Sequence, residues 1–460
     1  MNRSIFKAYD VRGLYPHEFD EVAAYRIARA TAKFLTRSTS SGSTLNKVEG
    51  LSAKTMLIAM DNRDSSSSLK EAVIRGLTEE GVEIIDAGVA TTPMFYFAAY
   101  DFQADGGIMV TASHNPPQYN GLKIVGKTAM PIGEASGLPA IQEIACAEET
   151  KVQKTDTAPN VQSVDFLAKY VDFLTNNVRM PKMLIAVDAA CGPAGTIVSA
   201  VAERLKIEII PLCFAPCAVR AHGADPLKDE NTRDLAEAVV AQNADMGIAL
   251  DGDGDRAFFF DNEGKRVPSH AIASVIAKDL LERDGASMVI TDVRMPKVFH
   301  ETVAQSGGTI IESRVGHAFI KKLMREHNAL FGAELSGHFY FRDFWGMDSG
   351  IMMMMRVLAV LEKTGKSIKE LTQPYCVRAQ SGELNFTVAD KASAIERLRT
   401  AFTDGKQEEL DGLTIMYPTW WCNVRPSNTE PFLRVNIEAE TAEKLEEIRE
   451  KIVQVMAGNS

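Results

Sequence analysis

The sequence predicts an α/β protein, doubly wound over most of its length and ending in a small α+β domain, on three observations. Four segments share one shape, a short apolar strand ending in an acidic residue: MLIAMD from Met56, MLIAVD from Met183, MGIALD from Met246 and MVITD from Met288. Each is followed, directly or nearby, by helical spacing of apolar residues, as over 69–80, 193–205 and 296–305. Beyond Gln373 and Pro374 the pattern changes. Short apolar runs bounded by Gly, Asp, Ser or Pro suit strands buried in a parallel sheet, and their alternation with helices makes a doubly wound fold. In such sheets ligands bind outside the carboxyl ends of the strands, so chemistry is expected where these Asp residues stand.

In the terminal part, a helix is predicted over 392–402, strands over 413–417, 420–424 and 433–438, and a charged amphipathic helix over 442–456. The polar stretch 148–162 has few apolar anchors, and 258–268 runs from a Phe triplet into a turn. With the break at Gln373, these divide the chain into domains at 1–156, 157–257, 258–372 and 373–460. The Ser/Thr/Gly-rich stretch 38–52 reads as a mobile surface loop.

The 460 residues suffice for several packed cores. With 50 Lys and Arg against 61 Asp and Glu, the net charge of −11 is not that of a general nucleic-acid binder. The six cysteines are scattered, and the one close pair, Cys213 and Cys217, is spaced C-x-x-x-C. Neither a disulfide framework nor a zinc ribbon is expected, which fits a reducing compartment. No apolar run approaches the ~18 residues of a membrane span, so the expectation is a cytoplasmic protein without membrane partners.

The sharpest motif is D-G-D-G-D-R, Asp251 to Arg256, after the strand MGIAL. Three carboxylates so close repel one another unless a cation sits among them, and the glycines let the backbone turn tightly enough for Asp251, Asp253 and Asp255 to converge. Hard oxygen donors favour Mg²⁺. An EF-hand would need Gly and Glu where Arg256 and Asn262 stand. A solvated acidic turn is the simpler alternative, but it would not need its place at a strand end. The same stretch matches G-x-G-x-x-A, yet its carboxylates would repel a pyrophosphate and the Phe triplet continues as a strand. A Walker-like G-x-x-x-x-G-K-T spans 121–128; its strand-like middle and Pro131 argue against the required helix.

T-A-S-H-N-P, 111–116, closes the strand GIMV and presents Ser113 as a candidate nucleophile or phosphate carrier, although a Ser-His-Asn-Pro turn can also simply cap its backbone. His114 adjoins it, but neighbouring side chains rarely point together, so a Ser–His pair is not expected. R-P-S-N-T-E-P, 425–431, offers an Arg fork, hydroxyls and turn N–H groups to a phosphate dianion, or is a proline-bounded turn. G-A-E-L-S-G-H, 332–338, could hydrogen-bond sugar hydroxyls, and alone is an ordinary loop. His317 is expected to start a helix, and the run Met352 to Met355 to be buried helix packing.

Together and in order, TASHNP, DGDGDR, GAELSGH and RPSNTEP, with F-K-A-Y-D-V-R-G at 6–13 and N-G-L-K at 120–123, resemble the α-D-phosphohexomutase superfamily over essentially the whole chain, and most closely its bacterial phosphomannomutase/phosphoglucomutase branch. The resemblance implies three related α/β domains and a smaller terminal domain around a central cleft. It implies that Ser113 is the phosphoserine and that Asp251, Asp253 and Asp255, with the serine phosphate, hold Mg²⁺. Glu334 and Ser336 would bind sugar hydroxyls, while Arg425, Ser427, Asn428 and Thr429 would hold the non-reacting phosphate. Tyr9, Arg12, Lys123, Arg256, His317 and His338 would line the cleft, with Lys123 and His338 among the proton-transfer candidates and Arg12 and His114 beside the reacting serine.

The implied reaction passes the phosphoryl group of Ser113 to a hexose phosphate, giving a hexose 1,6-bisphosphate that turns over and returns its other phosphate. Ser-Asn-Thr at 427–429 resembles the hexose mutases and favours mannose or glucose phosphates; the glucosamine branch usually carries Ser-Gly-Thr there. Arg294 stands where that branch leads one to expect lysine, and no role is carried onto it. A phosphoglucosamine mutase, a P-loop phosphotransferase and a non-catalytic sugar-phosphate binder are the alternatives. The expected partners are small phosphosugars, and the expected state is a monomer or homodimer.

Overall fold

The computed structural model describes residues 1–38, 54–147, 160–176, 178–180, 182–215, 222–427 and 432–458. The expected loop at 38–52 lies outside these residues beyond Ser38, as does 148–159 of the polar stretch. The chain forms two compact units, Met1–Arg266 with Met347–Gly365, and Val267–Gly346 with Lys366–Ser460.

In the first unit a six-stranded sheet runs in the order Val11–Leu14, Tyr119–Gly126, Gly106–Val110, Thr55–Met60, Glu83–Val89, Val161–Ser163. The MLIAMD strand is central and parallel to both neighbours, as its unbroken apolar run requires. Helices Glu21–Ser38, Ser66–Glu79 and Leu138–Ala147 bury Ile27, Leu69, Val73 and Ile141 in a core with Ile58 and Ile108. Helix Thr92–Asp101 is buried from Thr92 through Ala99, apolar on nearly every side. A second sheet centres on Met246–Leu250, and in it Leu184–Asp188 is parallel to both neighbours, Met246–Leu250 and Glu208–Leu212. The Met352 to Met355 run is buried in helix Gly350–Thr364 of this unit.

In the second unit Met288–Asp292 is parallel to Thr309–Ser313 and to Phe331–Ala333. The terminal sheet is antiparallel throughout, in the order Ala379–Thr387, Phe432–Ala439, Trp420–Pro426, Leu413–Met416, Lys406–Glu408. Helices Lys391–Ala401 and Ala442–Ala457 cover it through Leu398, Ile448 and Ile452.

The three α/β sheets are mixed, where parallel strands were read from the sequence. Gly106–Val110, Met246–Leu250 and Phe331–Ala333 are each followed at once by an antiparallel partner, Tyr119–Gly126, Ala257–Phe260 and Phe339–Phe341. The motif loops at 111–118, 251–256 and 334–338 are the turns of these three hairpins. A buried strand is apolar on both faces whatever its direction, so the Phe triplet could not reveal its sense.

The Walker-like stretch is also decided by pairing. Leu122, Ile124 and Val125 are buried in the strand Tyr119–Gly126, and a Cβ on Gly121 would stand 2.0 Å from the Val11 carbonyl oxygen. This glycine serves close strand approach, not a phosphate cradle. Gly121→Ala is expected to cost about 3 kcal/mol of stability, read as a lowered urea midpoint; an unchanged midpoint would show that the edge strand yields freely.

His270, in the first turn of helix Ser269–Asp284, is 2 % exposed and its Nε2–H donates to the Tyr375 carbonyl at 3.1 Å. Burial pushes its imidazole down from 6.5 to about 4, against a smaller rise from that bond. Between those values the unfolded chain binds the proton and the folded one does not, so stability is intact above pH 6.5 and declines as pH falls toward 4. The loss is on the order of 3 kcal/mol. His270→Gln is expected to flatten unfolding free energy against pH in that window, by about one proton in slope; equal slopes would sink the assignment.

Among the described residues Cys146, Cys191, Cys376 and Cys422 are free thiols, and no helix is long and apolar enough to cross a membrane.

Candidate active site

In the first unit the serine loop is laid down by an acid at the end of the neighbouring strand. Asp61, ending Thr55–Met60, accepts from Thr111 Oγ1 at 2.8 Å and from Ser66 Oγ at 2.5 Å, and pairs with Arg63 Nε at 3.0 Å. The Arg63 guanidinium then donates to the carbonyls of Ser113, Asn115, Pro116 and Tyr119 at 2.7–3.1 Å. One buried cation thereby fixes the whole turn. Thr111 Oγ1 also accepts the Ser113 N–H at 2.9 Å.

Ser113 has φ +53, a left-handed conformation that a non-glycine residue adopts at a cost and that favours functional positions. It is buried, and its Oγ lies 3.1 Å from His114 Nδ1. The expectation that these neighbours do not meet is therefore corrected. Side-chain alternation belongs to extended backbone, and the left-handed residue removes it. Arg12 reaches the same turn, donating to Asn115 Oδ1 at 2.6 Å and pairing with Asp10. Tyr9 is half-buried in the bend before Val11–Leu14.

The acidic loop is buried: Asp251, Asp253 and Asp255 are each at most 2 % exposed, and their nearest oxygens lie within 4.8 Å of one another. Arg256 folds back on Asp251, Nε to Oδ2 at 3.0 Å, and reaches Asp225 at 3.2 Å. Lys123, from the strand carrying the other side of the serine hairpin, donates to Asp253 and Asp255 at 2.7 and 2.8 Å. Burial disfavours the Lys123 charge, but the two carboxylates outweigh it and hold the ammonium well above its ordinary range. Burial and Asp255 push Asp253 up, whereas Lys123 and the Thr92 hydroxyl, at 2.6 Å, bring it below the usual carboxylate value. Asp253 Oδ1 has no hydrogen-bond partner among the described residues. A buried, unpartnered carboxylate oxygen in a set of hard donors fits a divalent cation such as Mg²⁺.

The second unit carries the other candidate residues. Glu334, 2 % exposed, accepts from the Tyr340 hydroxyl, and its N–H donates to the His338 carbonyl at 3.0 Å, closing the hairpin turn. Burial pushes its carboxyl above the ordinary value. His338 Nδ1 is 3.0 Å from Ser336 Oγ and 3.8 Å from Glu334, and its ring lies between those of His317 and Tyr340, with centroids 6.2 and 6.4 Å away. His317 begins helix His317–Glu326, as its setting in sequence suggested. Arg294 pairs with Asp292 at 2.7 Å and stands 3.6 Å from Glu334 and 3.5 Å from Glu383. Arg425 pairs with the same Glu383, and Arg434, directly across the strand from Arg425, lies 3.4 Å from it. Burial first, then the Arg294 charge, lowers the Arg425 guanidinium from its ordinary value. Ser427 is buried, its N–H on the Phe432 carbonyl at 2.9 Å. Asn428 and Thr429 lie outside the described residues.

Sequence reasoning missed Arg63, Thr92, Glu383 and Arg434, and gave Arg294 no role. A signal existed for two of them: Asp61-x-Arg63 and Asp292-x-Arg294 repeat one device at the ends of corresponding strands, an arginine folding back on the acid two residues before it.

Four family models describing phosphoglucomutase/phosphomannomutase match in order: α/β/α domain I over residues 3–151, domain II over 164–264, domain III over 268–376 and the C-terminal domain over 383–455. A phosphomannomutase of Escherichia coli is 36% identical over 94% of both chains. One of Methanocaldococcus jannaschii is 34% identical over 98% of both. Among solved structures, a phosphoglucomutase/phosphomannomutase family protein of Burkholderia thailandensis superposes with a TM-score of 0.88 at 27% identity, covering 100% of this chain and 98% of its own. With four domain models matched in sequence and relatives aligned nearly end to end, the chain belongs to the phosphoglucomutase/phosphomannomutase family of the α-D-phosphohexomutase superfamily, whose members are isomerases.

Proposed function

We propose that the chain interconverts hexose 1-phosphate and hexose 6-phosphate, with mannose and glucose phosphates as substrates, through a phosphorylated Ser113 and a bound hexose 1,6-bisphosphate. The observation that carries this reading is the Ser113 turn. A buried hydroxyl stands in left-handed backbone, pinned by Arg63, beside a strand whose Lys123 reaches the acidic loop.

In the forward step the free sugar hydroxyl attacks the phosphorus of phospho-Ser113. The new sugar O–P bond forms as the Ser113 Oγ–P bond breaks, and the hydroxyl proton leaves to a base on the protein while Oγ gains one. The bisphosphate turns over, and the reverse transfer of its other phosphoryl group regenerates phospho-Ser113. Asp251, Asp253 and Asp255 would hold Mg²⁺, which supplies charge neutralisation to the transferring group. Lys123, held protonated, suits the acid side of the proton traffic. His338, oriented by Ser336, is the candidate base near the sugar. Glu334, braced by Tyr340 and Arg294, would accept hydrogen bonds from two sugar hydroxyls. Arg425, with Ser427, Asn428 and Thr429, would take the non-reacting phosphate, and Glu383 keeps its guanidinium placed.

The test is conversion of mannose, glucose and glucosamine 1-phosphates to their 6-phosphates with Mg²⁺ and a trace of hexose 1,6-bisphosphate. Turnover of the first two is expected. Preference for the glucosamine substrate would overturn the use made of Asn428, and absence of turnover would favour a sugar-phosphate binder.

A further inference from the structure

We propose that Asp188, Cys213 and His222 form a second cation site in the first unit, suited to a borderline-soft divalent ion of the Zn²⁺ type. Asp61, Asp292 and Asp188, each ending a strand that is parallel to both its neighbours, accept the N–H of the residue two positions on: Asp61 from Arg63 at 3.1 Å, Asp292 from Arg294 at 2.8 Å and Asp188 from Ala190 at 2.8 Å. In the first two the same residue also returns a guanidinium to the buried carboxylate. Ala190 cannot. The Asp188 carboxylate, 3 % exposed, is left to find its positive charge elsewhere.

What faces it is a donor set. His222 Nε2 lies 2.9 Å from Asp188 Oδ2 and 3.5 Å from Cys213 Sγ, and the three donor atoms all fall within 4.8 Å of one another. The backbone is shaped to bring them there. Ala189 N–H donates to the Leu212 carbonyl and Cys191 N–H to the Cys213 carbonyl, lacing the ends of two neighbouring strands. Ala190, Cys191 and Cys213 all have φ near +50, a cluster of non-glycine left-handed residues of the kind that marks functional sites.

The imidazole is also held for the purpose. His222 Nδ1 is 2.9 Å from the Gly223 carbonyl, which can only accept, so Nδ1 carries hydrogen and Nε2 is the atom offered toward Asp188 and Cys213. A proton on Nε2 is shared between Asp188 Oδ2 and Cys213 Sγ; a cation that replaces it draws directly on all three donor atoms. One thiolate, one imidazole and one carboxylate, with water as a fourth ligand, suit tetrahedral Zn²⁺ and disfavour Mg²⁺. That chemistry separates this site from the all-carboxylate loop at 251–255.

The full-length protein, stripped with a chelator and returned to Mg²⁺ buffer, is titrated with Co²⁺ as the probe. The expected result is one equivalent taken up with a thiolate-to-cobalt charge-transfer band in the near ultraviolet, which Zn²⁺ then displaces. Carboxylate sites do not give that band. Cys213→Ser should abolish it, Cys191→Ser should keep it, and His222→Gln should weaken binding at least tenfold. A wild-type protein without the band overturns the proposal, as does a band that survives Cys213→Ser. Should Cys213→Ser not fold, unchanged affinity in His222→Gln overturns it instead, and a tenfold loss supports it.

Discussion

Ser113→Ala is expected to lower kcat/KM for hexose phosphates by on the order of 10⁴-fold or more, even with bisphosphate activator present. In the proposed mechanism the size follows from the loss of the atom that would carry the phosphoryl group between substrates. The substitution removes one buried oxygen and leaves Thr111, Arg63 and the carbonyls that Arg63 holds in place, so the turn itself should persist. Sugar-phosphate binding should change little while turnover disappears, a separation visible by pairing calorimetry with the coupled assay. Incorporation of phosphate from labelled bisphosphate into wild type and not into the variant completes the test. Full activity in Ser113→Ala would sink the mechanism.

Asp253→Asn is expected to lower kcat by about 10²- to 10³-fold and to raise the Mg²⁺ concentration needed for half-maximal rate. Asparagine keeps the shape and an acceptor for the Thr92 hydroxyl and Lys123, but it gives up the charge on the one carboxylate that faces both of them and still has an unpartnered oxygen. The fold should tolerate the change, because Asp255 continues to hold Lys123. A Mg²⁺ titration of initial rates separates the two effects. Identical half-saturation in wild type and variant would mean that the acidic loop positions Lys123 and holds no cation.

What the sequence disclosed and what it withheld divide along a physical line. Chemistry concentrated in consecutive residues was legible: the carboxylates from Asp251 to Asp255 and the turn around Ser113 announce themselves through spacing and composition. The apolar strands ending at Asp61, Asp188 and Asp292 were legible because burial on both faces leaves an unbroken run. Contacts made by pairing were not. Arg434 meets Glu383 because the antiparallel register sets it across from Arg425, and Thr92 meets Asp253 from a helix far away in the chain. The direction of the hairpin strands was hidden as well, since Phe331–Ala333 and Phe339–Phe341 are too short and too fully buried to show alternation. The meeting of Ser113 with His114 depended on a single dihedral angle that residue type did not reveal.

Hairpin placement of the three motif loops bears on how such a protein can diverge. A turn anchored at both ends by backbone ladder bonds takes its location from amide geometry, which every residue shares, and only its reactivity from side chains. Substitutions along the flanking strands and on the outward faces of the helices then repack a core without carrying the reactive turn away from its station. A lineage can drift at most of its positions and still hand the same loops forward, which suits a chain that shares only about a third of its residues with relatives spanning bacteria and archaea.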